Sequence, residues 1–150
     1  MVAKPGQKQQ RTLTQSAFGT VFPAYLRSSA RLLNMARQQF GGDLDAMFIL
    51  CVILASEDST TWQDAAFDTL DRLPRMGSTN TASIALATGI PRATVQRKLA
   101  DLTARGWIER RPVTGWSMTP KAAQELRGLA LETLRYLEVI VTALRKSEEP

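Results

Sequence analysis

The stretch from Asn80 to Pro120, NTASIALATGIPRATVQRKLADLTARGWIERRPVTGWSMTP, limits what this chain can fold into more than any other. Asn80 or Thr81 is placed to cap a short helix reaching about Thr88, with Ile84 and Ala87 predicted to face inward. Gly89 supplies a tight turn, and Ile90 fills the space beneath it. Pro91 suits the first turn of a second helix, where its missing N–H is no loss. Val95, Leu99 and Leu102 recur at the spacing of one buried helix face, and Gly106 ends that helix. Trp107–Arg111 and Trp116–Met118 read as short strands around a turn at Pro112–Gly115, and Thr119-Pro120 opens a last helix. Helix, turn, helix, hairpin is the order of a winged helix-turn-helix, which lays its second helix in the DNA major groove.

The charge agrees. From Thr79 to Lys121 there are seven basic residues (Arg92, Arg97, Lys98, Arg105, Arg110, Arg111, Lys121) and two acidic ones (Asp101, Glu109). That local excess of +5 equals the net charge of the whole chain, so the rest is close to neutral. A footprint this local points to a phosphate-bearing partner.

Other chemistries lose their means. Histidine is absent and Cys51 is the one cysteine, so the usual zinc sites and the Ser-His-Asp and Cys-His catalytic units cannot be assembled. Neither G-x-x-x-x-G-K-[ST] nor G-x-G-x-x-G occurs. We expect no enzyme, no cofactor and no metal. Cys51 sits in AMFILCVILA and is expected to be a small buried hydrophobe. That apolar run is too short to span a bilayer, which takes about 20 residues. The N-terminus has no apolar signal-peptide core. A soluble, cytoplasmic, bacterial protein without a membrane partner is the expectation.

Residues 1–16 read as a flexible polar arm, and residues 17–150 as a single winged-helix domain, mainly α with a small β-hairpin wing. Within it, residues 79–121 form the DNA-binding lobe. Phe22, Tyr25, Leu26, Leu32, Leu33, Ala36 and Phe40 make one apolar stripe on a helix over residues 20–40, which Gly41-Gly42 ends. Asp43 can cap the next helix, about Leu44–Ala55, apolar on almost every side and therefore predicted to be buried. Glu57–Asp71 carries five acidic and no basic residues, with Trp62, Ala66, Leu70 and Leu73 at helical spacing; a solvated face and a docking surface both suit it. The last helix is predicted to run unbroken over residues 120–146, with Leu126, Leu137, Ile140 and Leu144 on a coiled-coil-like seam. So much apolar surface needs a cover. Packing on the chain's own first helix would provide one. The reading favoured here is a dimer interface built from Phe22, Leu26, Leu33, Leu126, Leu137, Ile140 and Leu144.

On the second helix of the module, over residues 91–105, Ala93, Arg97 and Ala100 point away from Val95, with Thr94 and Gln96 on the flanks and Arg92 at the leading end. Arginine can bond guanine bidentately, glutamine adenine, and small residues admit the helix backbone or a thymine methyl. Arg97 and Gln96 are the leading base readers. Arg92, Ala93, Thr94 and Lys98 complete the helix set, and Arg110, Arg111 and Thr114 are assigned to the hairpin wing over residues 107–118, along the DNA backbone. Trp107 and Trp116 are expected to pack the strands on the helices, stacking on bases being their other use.

The run LATGIPRATVQRKLADLTARGWIERRP resembles the helix-turn-helix and first wing strand of MarR-type transcription factors, with IclR-type regulators a second choice. MTPKAAQEL is similar to the MarR-type entry into the dimerisation helix. Three features depart from that pattern: the wing is short, Pro91 replaces the usual serine cap, and Glu57–Asp71 has no assignable counterpart. The resemblance implies a homodimer on a pseudo-palindrome of double-stranded DNA, usually as a repressor, often released by a small-molecule effector. An apolar pocket near Tyr25, Phe48 and Trp62 is where such an effector is expected. The competing reading is a winged helix used for protein–protein assembly without specific DNA binding.

Overall fold

A computed structural model describes residues 12–56, 79–112 and 115–147. Helix α1 spans Leu13–Ser16, α2 Phe18–Gln39 and α3 Leu44–Ala55. Helices α4 (Thr81–Thr88) and α5 (Arg92–Ala104) lead to strands β1 (Ile108–Arg111) and β2 (Gly115–Met118). Helices α6 (Pro120–Glu125) and α7 (Arg127–Lys146) follow. Of the arm expected over residues 1–16, the first eleven lie outside the described residues, and Leu13–Ser16 is a helical turn. The acidic Glu57–Asp71 segment also lies outside them.

By their contacts the residues divide into two compact units, 35–130 and 1–34 with 131–150; the divisions fall inside α2 and α7. In the first unit, one core gathers Phe40, Ile49, Leu50 and Ile53 with Ile84, Val95, Leu99, Leu102, Trp107, Ile108, Ala122 and Leu126. Asp43 caps α3 by accepting the Ala46 N–H at 3.1 Å. Ala46, Ile49, Leu50 and Ile53 form the buried face of α3. The opposite face is open, against expectation: Leu44, Phe48 and Cys51 are exposed. An all-apolar helix shows no period from which its inward side can be read. Cys51 is thus a surface residue, and the crowding apolar side chains raise its thiol pKa, disfavouring the reactive thiolate.

Strands β1 and β2 pair antiparallel, Ile108 with Met118 and Arg111 with Gly115. Thr79 adds a parallel bridge to Gly115 on the other edge of β2, its carbonyl accepting the Trp116 N–H at 3.2 Å. Gly115 has φ +80°, and a Cβ there would lie 2.0 Å from the Thr79 carbonyl oxygen. Only glycine fits, in conformation and in space.

The single terminal helix expected over residues 120–146 is two helices. Thr119 caps α6 through the Ala122 N–H, and Leu126 interrupts with φ −91° and ψ 3°. Leu126 is buried in the core of residues 35–130 and does not lie on an open seam, which corrects its assignment to the dimer interface. The seam pattern could not register the break, since Leu126 kept the spacing while its backbone left it.

In the second unit, α2 and α7 meet through Tyr25 and Tyr136, ring centroids 6.4 Å apart. Glu132 is buried between Arg31 at 2.8 Å and Arg135 at 3.4 Å. Phe22, Leu26, Leu33 and Leu137 are exposed, whereas Ile140 and Leu144 are half-buried. No single described helix is long and apolar enough to cross a membrane.

Candidate nucleic-acid interface

The helix-turn-helix is locked by local bonds before any ligand arrives. Asn80 and Ser83 form a capping box, Asn80 Oδ1 accepting the Ser83 N–H at 2.9 Å and Ser83 Oγ accepting the Asn80 N–H at 3.1 Å. Gly89, at φ +70°, turns the chain out of α4. Thr88 Oγ1 accepts the Ile90 N–H at 3.2 Å, securing the turn. Ile84 is fully buried as expected, but Ala87 is exposed and Ala85 takes the second inward position. The inward arc of so short a helix is set by where Ile90 and α3 lie, not by spacing alone. Pro91 is the N-cap of α5 and not its first residue, so the helix starts without a side-chain cap.

Val95, Leu99 and Leu102 seat α5 in the core. Arg92, Ala93, Gln96, Arg97 and Ala100 lie exposed along the other side, and Thr94 is half-buried between the two. The alanines keep this face low between the longer polar side chains, as a helix entering a groove requires.

The basic cluster separates into bound and free charges. Lys98 Nζ donates to Asp43 Oδ2 at 2.5 Å and is mostly buried. Lys98 therefore ties α5 to the cap of α3 and is removed from the expected DNA-contacting set. Lys98 follows Val95 by three residues, about 60° round the helix and nearer its buried face than its exposed one, where Asp43, distant in sequence, claims it. Burial alone would raise the Asp43 pKa; the bonds from Lys98 and the Ala46 N–H, with the charges of Lys98 and Arg105, outweigh it and hold the group below its ordinary value.

Arg105 lies over the Trp107 ring, 5.0 Å from its centroid. Lys121 Nζ donates to the Arg105 carbonyl at 2.8 Å. Trp107 itself is buried, edge-on to Phe40, and its Nε1–H donates to Glu125 Oε2 at 2.6 Å. It holds the hairpin on the helices, as expected of it. Trp116 packs half-buried against the same core. Arg111 is bonded to Glu109. Arg92, Arg97 and Arg110 make no ion pair and no side-chain hydrogen bond among the described residues. Thr114, the remaining wing candidate, lies outside those residues.

Asp43, Glu109 and Glu125 thus decide which cations are available, and the sequence reading gave them no such part. Opposite charges two and four residues apart (Glu109 with Arg111, Lys121 with Glu125) were a local signal for two of the pairs. Nothing in the sequence linked Asp43 to Lys98. Of the expected effector pocket, Trp62 lies outside the described residues, and Tyr25 and Phe48 belong to different units.

A MarR family model matches residues 62–115. Over this segment the chain is similar to the MarR family. The MarR match spans α4, Gly89, α5 and β1, the elements just described, and carries a DNA-binding role in transcription regulation. It begins at Trp62, inside the acidic stretch that the sequence reading set apart as foreign to the pattern, so the family region takes in most of that stretch. No curated protein and no solved structure is significantly similar to the chain.

Proposed function

We propose that this protein is a homodimeric, sequence-specific repressor of transcription that places α5 of each copy in the DNA major groove. The observation that carries this reading is the exposed face of α5. Arg92, Gln96 and Arg97 project without a protein partner among the described residues, flanked by Ala93 and Ala100, while the opposite side is anchored by Val95, Leu99 and Leu102. A helix held this firmly delivers its side chains to base edges without first having to order them. The exposed Phe22, Leu26, Leu33 and Leu137 support a second copy as the cover of the long helices. The repressor role follows the family habit. An effector forms no part of this reading.

Selection of random duplexes by the purified protein at near-physiological salt, followed by sequencing, tests it. The expected product is a motif of two related half-sites about ten base pairs apart, centre to centre. Arg97→Ala should cost about 1–3 kcal/mol and relax preference at one position of each half-site. Recovery of duplex without a motif would overturn sequence specificity. No recovery at all would favour the protein-assembly reading.

A further inference from the structure

We infer that, of the two described wing arginines, Arg110 grips DNA, and that Glu109 withholds Arg111 from the phosphate backbone. The inference rests on the DNA-binding reading above and refines it. Adjacent residues of a strand point to opposite faces, so Arg110 and Arg111 cannot serve the same side of this two-stranded ribbon. Arg110 stands on the face of Ile108, opposite Trp116, and has no ion-pair partner among the described residues. Arg111 shares its face with Glu109, two residues back. Its Nε and Nη2 both donate to Glu109 Oε1, at 3.0 and 2.8 Å. Across the ribbon from Arg111 stands Gly115, which offers no side chain to draw the guanidinium elsewhere.

The strength of that exposed pair is not the point, since such pairs are weak. What matters is where the negative charge sits. Any phosphate that Arg111 approached would also meet the Glu109 carboxylate, and a pair with no net charge displaces no counterion from DNA. Each phosphate neutralised by a free cation contributes about 0.9 to the slope of log affinity against log salt. Arg110 therefore contributes to that slope and Arg111 does not.

The test uses the full chain and a labelled mixed-sequence duplex, with dissociation constants measured from about 50 to 200 mM salt. Arg110→Gln should flatten the slope by about 0.9 per bound protomer, roughly a threefold change in affinity ratio across that range. Arg111→Gln should leave the slope at the wild-type value. Glu109→Gln should steepen it by about 0.9 per protomer, and adding Arg111→Gln to that variant should restore the wild-type slope. Equal flattening by Arg110→Gln and Arg111→Gln would overturn the inference. So would an unchanged slope in Glu109→Gln, or a steepening that survives loss of Arg111. Arg97→Ala, measured alongside on the selected site, separates the two levels. If it loses specificity while the wing variants disagree with these expectations, only the wing assignment falls. If it binds like wild type while they agree, the major-groove reading falls and the wing assignment stands. Absence of salt-dependent duplex binding by wild type would sink both.

Discussion

Residues 35–130 and the pair of segments 12–34 and 131–147 are built from similar stock, helices rich in leucine and alanine, yet they end differently. The first closes its own core: Ile49, Ile53, Ile84, Val95, Leu99 and Leu102 are almost wholly shielded from water. The second leaves Leu26, Leu33, Leu131 and Leu137 at least half exposed. The cause is geometric. The four helices α3 to α6 and a hairpin can together surround a set of side chains, whereas two helices in contact cover one stripe each and leave the rest bare. The closed region can hold a rigid reading surface. The open one has apolar area to give to another molecule.

That contrast can be broken at several points. Leu99→Ala, in the closed core, should destabilise the fold by about 2–5 kcal/mol in urea unfolding, through lost burial and the cavity left behind. A loss under about 1 kcal/mol would mean that the core is loosely packed. Gly115→Ala tests whether the wing belongs to the closed region. The left-handed backbone alone should cost about 1–3 kcal/mol, and the collision with the Thr79 carbonyl adds to it. A variant as stable as wild type would show that the Thr79 bridge is dispensable.

Asp43→Asn keeps a capping side chain and removes the charged bond between α3 and α5, so it should cost about 0.2–1 kcal/mol near neutral pH. Its sign with pH is determined. The folded pKa of Asp43 lies below its unfolded value, so the stabilisation is present above about pH 3.9 and is lost as pH falls through the folded value. Wild type and variant should therefore converge in acid. If the difference between them stayed constant with pH, the Lys98 pair would carry no charge-dependent stability. The smallest effect on the fold is expected in the open unit. Leu137→Ser should change unfolding of the isolated chain by less than about 0.5 kcal/mol. It should nonetheless shift sedimentation from dimer towards monomer. Unchanged association would move the interface away from α7.

Much of the module was legible in the sequence because its signals are short-range. Asn80, Gly89, Gly106 and Thr119 act on backbone groups within a few residues, so both ends of α4, the end of α5 and the start of α6 could be placed without knowing the fold. The buried face of α5 followed from Val95, Leu99 and Leu102, and its exposed face followed as the complement. Local charge counting found the basic lobe but could not say which charges were free.

The sequence by itself thus determined the order of elements from α4 to β2, the face of α5 turned outward and the concentration of positive charge. Only the tertiary structure decided that Lys98 belongs to Asp43, that Leu126 leaves the seam for the core, and that α3 keeps Phe48 and Cys51 at the surface. The reason is common to all three. Periodicity and capping are properties of one segment, whereas burial and pairing depend on what a distant segment brings alongside.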